Sequence, residues 1–195
     1  MTKYDRQAAI DKAMELFWQR GYQATTMRDL QQALDMRPGS IYSGFGSKEG
    51  LFREVLNCYT QNSLDLLNKH LTQTSDAMAG LERFFYASLE PGDCPSTEPC
   101  RICLLTKVVT EIGDSHQELA ECARLSLEYI EHAFERALRA SQQQGKLEES
   151  ANCRELACWL QMQMIGLRVY ASVQSDPECL RQMVARVFNA LPVTS

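Results

Sequence analysis

The sequence predicts an all-α fold of about nine helices: a short three-helix helix-turn-helix module at the N-terminus, followed by a larger helical domain. Three observations predict it. Apolar residues recur at helical spacing through almost every segment. No run of alternating β-branched residues offers a strand. The chain combines 45% hydrophobic and 23% charged residues with only ten Gly and six Pro over 195 residues, a balance that suits a helix-rich globular protein.

Helix one is expected over about residues 4–20. It sets Ala9, Ile10, Ala13, Leu16 and Phe17 on one stripe, with Gly21 as a left-handed terminator. Helix two opens at Thr26, where Thr26-x-x-Asp29 has the form of a capping box, and turns Leu30, Ala33 and Leu34 inward. After Asp35-Met36-Arg37, Pro38 suits a first helical position, so a third helix runs to about Gly44. Gly46-Ser47 then caps a fourth helix from Lys48 to about His70. Helices near 77–90, 101–112, 116–143, 150–173 and 177–190 follow, with a Pro/Gly loop over 91–99 and a break at Asp176-Pro177. The module is assigned to residues 1–47 and the larger domain to 48–195.

The net charge of −5 is unevenly spread: residues 1–53 hold eight Lys/Arg against six acids, and the remainder is acidic. A mildly basic head on an acidic body suits local phosphate contact without general adhesion. No stretch of about 18 apolar residues is present to span a membrane, and the charged N-terminus does not read as a signal peptide. The expected location is the cytoplasm, where eight cysteines would stay reduced. No glycine-rich phosphate loop, metalloprotease motif or nucleophile elbow appears, so neither enzyme chemistry nor a cofactor is expected.

Residues 26–45 have the spacing of two short helices around a tight turn, the arrangement that lays a recognition helix in the major groove of double-stranded DNA. With Leu30, Ala33, Met36 and Ile41 turned inward, the outward set is Thr26, Arg28, Arg37, Pro38, Gly39, Ser40, Tyr42 and Ser43. Arg forks onto a guanine edge, hydroxyls reach phosphate or base, and Gly39 admits a close backbone. Lys48, in the first turn of helix four, adds charge at a phosphate.

Ala9-Ile10, Ala13, Leu16-Phe17, Gly21-Tyr22, Thr26, Gly39-Ser40-Ile41-Tyr42 and Phe45-Gly46-Ser47-Lys48-Glu49-Gly50-Leu51 together resemble the DNA-binding domain of TetR/AcrR transcriptional regulators, over about residues 7–55. The resemblance implies that Gly39, Ser40, Tyr42 and Lys48 contact DNA, with Tyr42 and Lys48 on the backbone. It also implies a homodimeric repressor of a palindromic operator. Three positions depart from the pattern: Asp35 stands where Gly is usual, Arg37 replaces a small N-cap residue, and Ser43-Gly44 replaces a bulky aromatic or His pair. A helical protein-interaction module without DNA binding is the alternative class; salt-sensitive binding to upstream DNA separates the two.

In the C-terminal half, Cys103 through Ile112, with Gly166-Leu167 and the Asp176-Pro177 helix start, resembles the NemR-like electrophile-responsive subgroup, in which a cysteine opening the sixth helix is the sensor. Independently, a thiol in a first helical turn between Arg101 and Lys107 has its thiolate favoured, with Cys100 as a resolving partner. Other readings stand beside it. Cys103 is a small buried hydrophobe; Cys94, Cys100 and Cys103 ligate zinc but lack a fourth ligand; or Phe84, Tyr86, Trp159, Met162 and Tyr170 line an apolar inducer pocket. Dimerisation is expected through Leu156, Leu160, Gln163, Leu167, Met183, Val187 and Phe188, on the two apolar stripes of the final helices.

Overall fold

The structure is a computed structural model, described here over residues 3–89, 102–112, 115–174 and 176–194. The described residues form nine helices in the order α1 (Lys3–Arg20), α2 (Met27–Leu34), α3 (Pro38–Phe45), α4 (Lys48–Thr72), α5 (Ala77–Ala87), α6 (Leu104–Ile112), α7 (Gln117–Gln143), α8 (Cys153–Ala171) and α9 (Pro177–Asn189). They pack as two compact units. Residues up to Gln61 join Leu104–Ser126 in the first, and Asn62–Cys103 join Leu127–Ser195 in the second, so α4 and α7 each contribute to both.

The helix ends follow their sequence signals. Gly21 ends α1 at φ +78, its N–H bonded to the Phe17 carbonyl at 2.8 Å. Thr26 and Asp29 form the reciprocal capping box of α2, and the Ser47 hydroxyl accepts the Gly50 N–H at 2.9 Å to open α4. Three boundaries differ from expectation. α5 stops at Ala87. α8 starts at Cys153 rather than near 150, because Asn152 accepts from the Arg154 and Glu155 N–H groups and so fixes the first turn. α6 starts at Leu104, with Ile102 and Cys103 non-helical.

The core of the first unit is aromatic. Phe17 meets Phe52 edge-on at 4.6 Å, Tyr22 lies 4.8 Å from Phe52, and Trp18 meets Tyr59 at 5.3 Å. Met14 and Trp18 join the buried stripe of α1, while Leu16 is half-exposed. In the second unit Phe84, Phe85, Phe134 and Phe188 form a ring cluster with centroids 5.0 to 6.2 Å apart, and α9 packs on both α5 and α8. Gly80 permits a close helix approach here, since a Cβ on it would lie 3.0 Å from the Leu71 Cα.

Candidate nucleic-acid interface and signal-sensing residues

α3 has eight residues, too few to hold its shape alone, and its place is fixed by what it buries and what ties its ends. Ile41 and Phe45 are buried. At its C-terminal end the Arg6 guanidinium donates to the Gly44 carbonyl at 2.7 Å, lies 4.7 Å over the Phe45 ring and pairs with Glu54 of α4 at 2.8 Å. A cation at a helix C-terminus meets the negative end of its dipole. The Phe45 carbonyl in turn sits against Gly50, where an added Cβ would lie 2.1 Å from it. Neither Arg6 nor Gly50 carried a role in the sequence reading. Each acts through a tertiary contact that no spacing rule encodes, although Gly inside an amphipathic helix is itself a signal of close approach.

With its inner side so held, the module presents Thr26, Arg28, Arg37, Pro38, Gly39, Ser40, Tyr42 and Ser43 on its exposed surface, and Lys48 half-buried beside them. The Lys48 ammonium stands 4.3 Å over the centroid of the Tyr22 ring. Burial pulls its pKa below the ordinary lysine value, with the Asp29 charge opposing. Asp29 itself is held below the usual carboxylate range, first by the Thr26 hydroxyl and N–H and then by Arg20, with which it pairs at 2.9 Å.

The turn between α2 and α3 shows the physical meaning of two departures from the family pattern. Asp35 adopts φ 52, ψ 47 and sends its N–H to the Gln31 carbonyl, the left-handed cap that Gly adopts without strain and Asp tolerates. Arg37 occupies the N-cap of α3 without a side-chain cap bond.

Bacterial regulatory proteins of the tetR family match as a family model over residues 9–55, and the tetracyclin repressor-like C-terminal domain matches over residues 96–187. The chain belongs to the TetR family. It is a DNA-binding transcriptional regulator of the repressor kind. It is 27% identical to the HTH-type transcriptional repressor ComR of Escherichia coli K12 over 97% of this chain and 90% of the relative. To the repressor DhaR of a Mycobacterium strain it is 24% identical, over 95% and 91%. Among solved structures, a cysteine mutant of the TetR-family regulator CifR complexed with 26-bp operator DNA is 28% identical, covers 98% of this chain and 100% of that one, and has a TM-score of 0.83. The reduced form of E. coli NemR shares the fold at 18% identity, with a TM-score of 0.84 and 98% of each chain covered.

The sensor residues of this TetR-family chain are arranged differently from the sequence reading. Cys103 is buried at 7% exposure and precedes α6 instead of lying in its first turn. Lys107 is committed elsewhere: its ammonium donates to the Trp18 carbonyl at 3.2 Å and lies 3.8 Å from Glu111. Cys94, Cys100 and Arg101 lie outside the described residues, so the resolving-thiol and zinc readings concern residues not described. No group of three metal-ligating side chains occurs among the described residues. Of the remaining cysteines, Cys158 is exposed and Cys58, Cys122 and Cys179 are half-buried. Burial raises the pKa of the Cys122 and Cys153 thiols.

The residues expected at a pocket and at a dimer interface differ in burial from those expectations. Phe84 is buried in the ring cluster, Tyr86 reaches Glu82 at 3.4 Å, and Met162 and Tyr170 are open to solvent at 56% and 45% exposure. Met162 and Tyr170 thus lie at the surface of the described structure rather than in its core. Conversely Leu160, Leu167, Val187 and Phe188, expected at a dimer interface, are buried within the protomer, and Leu156, Gln163 and Met183 are half-buried. The outward face of α8 instead carries Met162, Val169 and Tyr170, with Trp159 and Ile165 half-buried alongside and Val173 exposed in the turn that follows. Both faces of α8 bear apolar residues, so periodicity could not say which one α9 takes. A cavity of about 250 Å³ does open elsewhere in the second unit, lined by Leu67, Leu71, Ala133 and Ala137 with Asn68 and Arg136. No helix among the described residues is long and apolar enough to cross a membrane.

Proposed function

We propose that this chain is a cytoplasmic homodimeric repressor that grips a palindromic operator through residues 1–47 and releases it when Cys103 of the 48–195 domain is modified by an oxidant or electrophile. The observation that carries the DNA half is the exposed set on α2 and α3 with Lys48 beside it. Tyr42 and Lys48 hold phosphates, while Arg37 and Ser40 influence base choice. CifR, similar over its whole length, was solved on operator DNA, which supports the same docking here. The exposed apolar face of α8 supplies the two-fold contact that paired half-sites require.

The case for Cys103 is steric. It is buried immediately ahead of α6, and close-packed interiors do not absorb added atoms without movement. Modification there displaces the start of α6, whose Lys107 is tied to the end of α1 through Trp18. The signal thus favours a state that does not bind DNA, which is a population shift. The test is a gel-shift titration with and without hypochlorite-like oxidant or quinone, read with intact-protein mass. Cys103→Ser is expected to keep operator affinity and lose the response, and Cys100→Ser to keep a response. A Cys103→Ser protein that lets go at the wild-type dose overturns the thiol reading. A second reading, reversible binding of a small apolar molecule, rests on the cavity between α4, α5 and α7. It predicts that Leu71→Trp abolishes the response to such a ligand while leaving the oxidant response.

A further inference from the structure

Lysines that meet phosphates are usually mobile side chains that lose rotamer freedom on binding. Lys48 is not arranged that way. Its ammonium rests over the Tyr22 ring at 4.3 Å, within range of an Asp29 carboxylate that is already engaged by Thr26 and Arg20. The ring is a fixed seat. Tyr22 is 8% exposed, tilted against Phe52 at 4.8 Å and stacked with Phe17 at 6.0 Å.

Its last aromatic neighbour comes from far along the chain. The His116 ring meets Tyr22 edge-on, with centroids 4.9 Å apart and planes at 79°. His116 sits just ahead of α7, with its N–H on the Ile112 carbonyl at the end of α6. Two hydrogen bonds fasten α6 and this segment to the end of α1 and the turn after it, and the Glu111 carboxylate lies close by. Gln23 donates to the Ser115 hydroxyl at 3.1 Å, Lys107 donates to the Trp18 carbonyl, and the Glu111 carboxylate lies 3.3 Å from where a Gly21 Cβ would be.

We infer that Tyr22 is a positioning residue for DNA binding, seating Lys48 on its ring face and taking its own position from His116. The inference rests on Lys48 as a phosphate contact. It links the end of α6 to a DNA-binding charge through ring contacts at the start of α4.

The test uses the full-length chain and operator titrations over a range of salt. Lys48→Ala sets the reference and flattens the salt dependence by about one phosphate contact per half-site. Tyr22→Phe, and then mono-, di- and trifluorinated phenylalanine at position 22, remove ring electron density in steps without changing ring shape. Affinity is expected to fall in step with fluorine number, by about two- to fivefold in total per half-site, and not to fall in a Lys48→Ala background. His116→Ala is expected to weaken operator binding about two- to threefold, and that loss also disappears beside Lys48→Ala. A flat fluorine series, or a His116→Ala loss that persists in full beside Lys48→Ala, overturns the inference while leaving Lys48 at the interface. An unchanged salt slope in Lys48→Ala overturns both.

Discussion

α3 and α8 are opposite kinds of helix, and the contrast shows what each is for. α3 buries Ile41 and Phe45 and turns Gly39, Ser40, Tyr42 and Ser43 outward, so its free surface is content in water and chemically able to meet phosphate and base edges. α8 is inverted in part: it buries Gln161 and Arg168 and exposes Met162, Val169 and Tyr170. A polar outer face marks a surface used intermittently. An apolar one, on a helix that can afford buried polar groups inside, marks a surface meant to stay covered.

Charge placed on the two faces of α8 and its partner α9 tests this contrast most severely. Phe188 is buried against Phe85, so Phe188→Glu is expected to prevent folding, since an unpaired buried charge costs on the order of several kcal/mol. Val169→Glu, on the open face, is expected to leave helix content intact and convert the dimer to monomers. Sedimentation with circular dichroism reads both. A Val169→Glu protein that remains a dimer removes α8 from the interface.

Next in size is the junction that holds α3. Gly50→Ala places a methyl 2.1 Å from the Phe45 carbonyl, so the end of α3 must move. The expected cost is about 1–3 kcal/mol of stability, with weakened operator binding. Chemical denaturation and gel shift check it, and wild-type values in both would show that the junction gives freely.

Smaller again is the α2 cap. Thr26→Ala removes one side of the capping box and is expected to cost about 1 kcal/mol. It should also let the Asp29 carboxyl rise toward its ordinary pKa, since the Thr26 hydrogen bonds are the first cause of its lowering. The sign follows from linkage. A carboxyl lowered by folding contributes stability above its unfolded pKa of about 3.9, and that contribution is lost as pH falls through the lowered folded value. Carboxyl NMR titration of Asp29 in wild type and variant measures it. The smallest effect belongs to Asp35→Gly. Relief at φ 52 is offset by greater freedom of the unfolded chain, so stability is expected to change by no more than about 0.5 kcal/mol. A larger gain in thermal unfolding would mean that the turn stores real strain.

Much of the reading head was legible from sequence because its signals are local. Gly21, the Thr26–Asp29 box, Pro38 and Ser47 each act within one turn of their own helix, and their rules involve only neighbours along the chain. The surroundings of Cys103 were not legible for a similar reason inverted: periodicity allows a start of α6 near residue 101 and helical arithmetic sets Lys107 beside it, but the Trp18 carbonyl that accepts the Lys107 hydrogen bond is 89 residues away. The helices, their order and the outward polar set of α3 were therefore determined by the sequence itself, through periodicity and caps. Which face of α8 lies inward, how Arg6 and Gly50 hold α3, and that Tyr22 seats Lys48 beside His116 were decided only in the tertiary structure, because each depends on the shape and reach of side chains brought together from distant segments.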